Sequence, residues 1–325
     1  MAADVQVSDP RRMLAVAGDD IRLEPSKEDV VDVEQNVAQL VDLLQLTPAD
    51  PIPGTRETEF YCGRSQYKPD GRVFGGQVLA QCVMAAGQTV DATRPIHSLH
   101  GYFLRPGDVS EPITFGVEVL RDGGSFSARR VHAYQRDEPI MSVMASFQQE
   151  QDGLEHGDEL PADVPPPEDC PQIAELLADV DIPFMRDWLR KRPFDVRPVE
   201  PPIYFEPDPA ASAQERMWIR TLAPFPEDPL LNAAALAYAS DFNLLEPVLR
   251  RQGLTWTTPG LRMASLDHAM WWHRPVRVDE WMLYSETSPS ARGGRGLGLG
   301  RIFSRSGQLL ATVAQEGMVR IKPRK

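Results

Sequence analysis

Cysteine is scarce in this chain. Cys62, Cys82 and Cys170 are three in number and show no metal-ligand spacing. A disulfide framework is excluded and a reducing compartment fits. Basic residues are also short, 34 against 47 acids, for a formal net charge of −13. That field opposes nucleic acid and anionic membranes, so neither partner is expected, and an anionic substrate needs a local basic patch. No apolar run approaches the length of a membrane span, so membrane insertion is not expected. Arg11-Arg12 before Met13–Ala17 resembles the start of a leader. The run is shorter than an export signal requires and meets Asp19-Asp20 at once, so a cytoplasmic protein is expected. The terminal Lys322-Pro323-Arg324-Lys325 is not the peroxisomal tripeptide.

Motifs with fixed chemistry are missing too. There is no G-x-S-x-G elbow, no Walker A loop and no H-E-x-x-H. Gly293, Gly294, Gly296, Gly298 and Gly300 do not form G-x-G-x-x-G in any register. They read as a turn followed by a glycine-rich strand. His97 and His100 are three apart on an expected strand, and His268 and His273 are five apart, so each pair faces opposite sides. No metal site and no cofactor are expected.

What is present is a repeat. Tyr102-Phe103-Leu104-Arg105-Pro106 is answered by Trp271-Trp272-His273-Arg274-Pro275. Ala145-Ser146-Phe147-Gln148-Gln149-Glu150 is answered by Ala311-Thr312-Val313-Ala314-Gln315-Glu316, in the same order. A unit above a hundred residues means two like domains and not a solenoid. We divide the chain into an N-terminal extension (1–35), a first domain (36–151), a proline- and acid-rich connection (152–205) and a second domain (206–325). In the first domain Val37, Leu40, Val41 and Leu44 recur at helical spacing, and Thr58–Tyr67 reads as a strand. Val78–Val90 is Ala-rich with little β-branching, which argues for a buried helix. The Gly75-Gly76 pair before it allows close approach to the helical N–H groups. Strands follow around Phe115–Val119, Ser127–Tyr134 and Ile140–Gln148. In the connection only Ile173–Leu189 has helical periodicity. The second domain repeats the plan, with a helix-rich stretch at Leu230–Arg250 and strands at Met217–Leu222, Met263–His273, Trp281–Thr287, Gly296–Ser304 and Leu309–Val319. One long helix and a run of antiparallel strands per copy defines an α+β unit.

The polar residues of interest lie in the second copy. Asp241 interrupts an apolar helical stretch, and a carboxylate there must be paired, working, or capping a helix at a break. Ser265 precedes Asp267-His268 on a strand, where a small hydroxyl also serves simple packing. Gln315 has a sequence counterpart in Gln149, as a structural glutamine would.

Val73–Gln77, His97–Gly107, Ser125–Arg130, Tyr238–Asn243, Leu266–Trp271 and Gln315–Gly317 resemble, in order and over about 36–321, the acyl-CoA thioesterase II (TesB-like) family. The resemblance implies a double hotdog fold, in which each long helix is wrapped by a curved antiparallel sheet. It implies an enzyme of fatty-acid metabolism that hydrolyses acyl-CoA to CoA and a carboxylic acid, without cofactor. The implied catalytic residues are Asp241, Ser265 and Gln315, holding the attacking water. Many relatives carry Thr where Ser265 stands. A helix-start N–H, as at Gly76, is the natural oxyanion donor. His97 is a candidate to touch the thioester, and Arg130, with Arg129, Arg292, Arg295 and Arg301, to meet CoA phosphates. The resemblance also implies a homo-oligomer, dimer or tetramer. Two other readings stay open: a hotdog enoyl-CoA hydratase using Asp267 and His268, and a non-catalytic acyl-CoA-binding protein.

Overall fold

A helix with no polar face must be buried all round, and two such helices organise this protein. The computed structural model describes residues 32–322 apart from 69, 179 and 181–188. The reading of 1–35 as an extension, and of Arg11–Ala17 as no leader, thus lies outside the described residues up to 31. Helix α1 covers Val33–Leu44, α2 Gly75–Gly87, α3 Ile173–Leu176, α4 Pro229–Ala239 and α5 Glu246–Arg251. Every residue from Gly76 to Ala86 is buried, as is every residue from Leu231 to Ala239. Alanines at the helix surface let α2 and α4 lie close together. Each fully buried Leu or Val adds roughly 1.5–3 kcal/mol. The pair runs antiparallel: Gly76 meets the carbonyl of Tyr238 at one end, and Gly87 meets Leu230 at the other. Helix α4 begins cleanly because Asp228 accepts from the N–H of Leu231 at 2.9 Å and Pro229 occupies the first turn.

Thirteen strands among the described residues form one sheet. They are β1 Thr47–Pro48, β2 Glu59–Gly63, β3 Ile96–Phe103, β4 Ile113–Asp122, β5 Phe126–Gln135, β6 Glu138–Gln148 and β7 Phe194–Pro198. Then come β8 Gln214–Thr221, β9 Leu261–Ser265, β10 Asp267–Trp272, β11 Met282–Arg292, β12 Arg295–Ser304 and β13 Leu309–Ile321. The order is β1-β2-β4-β5-β6-β3-β10-β13-β12-β11-β8-β7, with β9 on the far end of β13. It is palindromic about the β3–β10 seam: β2, α2, β3, β4, β5, β6 are answered by β8, α4, β10, β11, β12, β13. That is a double hotdog, with both helices on the inner face of a shared antiparallel sheet.

Three expectations need adjustment. The first long helix starts at Gly75, so the glycine pair is its first turn and not a preceding loop. The stretch 230–250 is two helices broken at 240–245. Of Ile173–Leu189, Ile173–Leu176 is an α-helix. The connection also carries β7, which extends the sheet beyond β8. It packs over an apolar patch of Cys170, Trp218, Trp281, Leu283 and Phe303. Its acids hold arginines of the second half: Asp163 takes Arg216 at 2.8 Å and Glu168 takes Arg305 at 2.7 Å.

Candidate active site

Asp241 stands just past the end of α4, where antiparallel packing brings it to the start of α2. A side chain on Gly75 would lie 2.7 Å from the Asp241 carboxylate and 3.0 Å from the Phe103 ring. A Cβ on Gly76 would lie 2.4 Å from the Tyr238 carbonyl. Glycine is therefore required at both positions for this approach. The Gly76 backbone N–H and the Gln315 side chain lie close enough to the carboxylate to favour its charge. It caps neither neighbouring helix. Desolvation at this half-buried position opposes its charge. Its pKa is raised to about 6 by that burial, against the opposing effects of Gln315, Gly76 and the positive charge of Lys68.

Gln315 is buried on β13. Its amide N–H donates to the Ser265 hydroxyl at 2.8 Å. Ser265 ends β9 opposite Gly317, two residues along β13 and so on the same face as Gln315. The break at Leu266, whose N–H bonds Glu316, lets β9 and β10 share β13. One amide thus bonds Ser265 and lies beside Asp241, and the structure brings the three sequence candidates and Gly76 together.

Behind Gln315 lies His268, 1 % exposed. Its Nδ1 is 2.5 Å from Gln315 Oε1, and its Nε2 is 3.0 Å from Ser240 Oγ. Burial pushes its pKa down to about 4, opposed by the bond to Gln315. Asp267, its neighbour, points away and accepts from the N–H of Glu316 at 2.7 Å. The two do not form the dyad that hydration chemistry would use.

The remaining candidates lie elsewhere. His97 bonds Ser146 at 2.8 Å and packs edge-on to Phe126. It is four residues along β3 from Gly101, which faces His268, or about 13 Å away. Arg130 pairs with Glu118 at 3.2 Å. It sits on β5, four strand spacings or about 19 Å from β13, with its side chain on the opposite face from the core. Arg129 is buried against Thr89 and Asp122. Arg295 pairs with Glu316 at 3.0 Å, and Arg301 pairs with Asp158 of the connection. Arg292 stands opposite Arg295 at the hairpin tip. Strand alternation decides these placements, and no motif reveals which face a residue takes. Lys68 is the cation near Asp241, and the sequence reading missed it because it lies in an irregular loop. A cleft of about 600 Å³ is lined by Leu40, Leu43, Arg64, Gln66, Tyr67 and Tyr238. Among the described residues no group of His, Cys, Asp and Glu is placed to hold a metal ion. No helix there is long and apolar enough to cross a membrane.

The fold is a double hotdog, and one carboxylate, one amide and one hydroxyl meet at the junction of its halves. Residues 189–318 match the family described as acyl-CoA thioesterase, and 64–148 match the acyl-CoA thioesterase N-terminal domain. The chain is 37 % identical to acyl-CoA thioesterase 2 of Haemophilus influenzae over 86 % of its own length and 96 % of that protein. It is 37 % identical to acyl-coenzyme A thioesterase 8 of Homo sapiens, over 86 % and 88 % of the two chains. Against the crystal structure of an acyl-CoA thioesterase II, TesB2, from Mycobacterium marinum, identity is 39 % and the TM-score 0.69, covering 88 % and 99 %. The chain belongs to the acyl-CoA thioesterase family.

Proposed function

We propose that this chain hydrolyses acyl-CoA thioesters to CoA and a carboxylic acid by direct attack of a water held by Asp241, Ser265 and Gln315. The observation that carries the reading is the Gln315 amide, bonded to Ser265 and lying beside Asp241 at the start of α2. Water donates to Asp241, which takes its proton as the oxygen bonds to the thioester carbon. Ser265 accepts from Gln315, which leaves its own hydroxyl proton to fix the water. The C–S bond then breaks, and the proton on Asp241 returns to the departing sulfur. A carboxyl held near 6 is a base matched to neutral pH.

The domain division at 36–151, 152–205 and 206–325 is part of the same proposal, supported by the palindromic strand order. Exposed Tyr102, Leu104 and Met144 support association into a homo-oligomer, and three free thiols support a reducing, cytoplasmic setting for a fatty-acid enzyme. The test is thiol release across short to long acyl-CoAs. Asp241→Asn should fold and lose roughly a hundredfold or more in turnover. Turnover equal to the parent protein would remove Asp241 from the chemistry.

A further inference from the structure

An amide can serve Asp241 only if its NH2 end faces the carboxylate, because an ionised carboxylate accepts and does not donate. Turned the other way, Gln315 would set its carbonyl oxygen against the Asp241 charge. Something must therefore fix which way the amide points, and rotation about its last bond is otherwise soft.

We propose that His268 is a positioning residue for the hydrolytic site: neutral, with its proton on Nδ1, it donates to Gln315 Oε1 and thereby locks the amide N–H groups onto Asp241 and Ser265. The inference deepens the function proposed above and rests on it. The geometry is a chain of four side chains. Ser240 Oγ lies 3.0 Å from His268 Nε2, His268 Nδ1 lies 2.5 Å from Gln315 Oε1, and Gln315 Nε2 donates to Ser265 at 2.8 Å. The same amide lies beside Asp241, whose charge it favours.

Proton counting sets the tautomer. If Gln315 Nε2 faces Asp241, Oε1 faces His268 and needs a donor, so Nδ1 carries hydrogen. A neutral ring then offers Nε2 as an acceptor, and the donor must be the Ser240 hydroxyl. That hydroxyl is also within 2.9 Å of the Ala237 carbonyl. With one proton it serves one of the two. Serving Ala237 would either leave the buried Nε2 lone pair without a donor or require N–H at both ring positions, a cation, in a site only 1 % exposed, and both are disfavoured there. Ser240 thus donates to His268.

The repeat supplies an independent observation. Aligning Tyr102–Pro106 with Trp271–Pro275 sets Leu99 on His268. Leu99 faces Ala145 across β3 and β6, as His268 faces Gln315 across β10 and β13. Leu99 and Ala145 are both buried. The hotdog sheet therefore accepts a plain apolar pair at this position, and the polar pair in the second half is not demanded by the fold.

The experiment uses the full chain. His268→Leu copies the residue that the first half carries. It should lower kcat on the order of a hundredfold, as loss of one preorganised donor does, with KM little changed. His268→Asn, whose amide nitrogen can take the place of Nδ1, should recover most of that loss. In a Gln315→Ala background His268→Leu should cost almost nothing more, because the histidine acts through the amide. Nitrogen-15 spectra of the parent protein should show His268 protonated at Nδ1 and bare at Nε2. The opposite tautomer overturns the inference whatever the activity. So do parental kcat in His268→Leu, no recovery in His268→Asn, or a full additional loss in the Gln315→Ala background. If instead Asp241→Asn keeps full turnover, the functional proposal fails, while the tautomer remains measurable on its own.

Discussion

Replacing Asp241 by Asn should do two opposite things, and pH separates them. The carboxyl ionises at 3.8 when free and at about 6 in the fold, mainly because burial disfavours its charge. At 1.36 kcal/mol per pK unit, holding the ion in the site costs about 3 kcal/mol of stability. Below pH 3.8 the group is neutral in folded and unfolded chains alike, and the cost is absent. Between 3.8 and about 6 the unfolded chain loses its proton while the folded one keeps it, so stability falls as pH rises. Above about 6 both are ionised and the deficit is constant. Asp241→Asn should therefore match the parent near pH 3.5 and exceed it by up to about 3 kcal/mol at pH 8. The gain is reduced because the Asn amide sets one donor against Gln315 or Gly76. Denaturant unfolding at the two pH values measures the difference. In the parent, kcat/KM should rise tenfold per pH unit below about 6 and level off above it. A flat activity profile from pH 5 to 8, or no stability gain in Asp241→Asn at pH 8, would refute the link between burial, charge and catalysis.

Gly76→Ala should cost roughly 1–3 kcal/mol in thermal or denaturant unfolding, because its methyl meets the rigid Tyr238 carbonyl at 2.4 Å and α2 must move off α4. The same movement carries the Gly76 N–H away from Asp241, so thiol release should fall even where the variant is fully folded. Glu215, Glu246 and Glu286 are buried around Arg250; burial raises all three pKa values, and the charge of Glu246 adds to the rise at Glu215 and Glu286. Acids raised in the fold weaken it as pH climbs above the ordinary carboxyl range. Glu286→Gln should therefore raise the melting temperature at pH 8, by roughly 2–4 °C per kcal/mol recovered, and leave it unchanged at pH 4.

The repeat was legible because each copy must bury the same helix against the same strands, which fixes apolar spacing and turn positions. The family motifs then led to Asp241, Ser265 and Gln315, which the structure joins through one amide. Four things were not legible. Gln149 matches Gln315 in the printed motif, yet strand register gives Ala145 that place, because the two hairpins do not align residue for residue beyond β6 and β13. The facing of Arg130 and His97 depends on strand parity and on a register shift between Ile96 and Ser98. Gly298 looks like part of a nucleotide loop, but its absent side chain leaves room for the Leu244 carbonyl, 2.0 Å from where a Cβ would stand. The partnership of His268 with Gln315 spans 47 residues, and only pairing of β10 with β13 reveals it.

The same symmetry explains why the cluster of Asp241, Ser265 and Gln315 appears once. At one end of the α2–α4 pair Asp241 meets Gly75 and Gly76, and at the other Leu230 packs against Gly87. Leu99 and Ala145 occupy in the first half what His268 and Gln315 occupy in the second. Apolar residues at both first-half positions hold the fold without the desolvation that a buried His, Gln and Asp incur. The acid and its amide come from the second half, whereas the backbone donor and the close-approach glycines come from the first. Neither half alone assembles the cluster. Loosening the α2–α4 packing should therefore abolish activity before it unfolds either sheet, since Asp241 loses its Gly76 partner at the first separation of the helices.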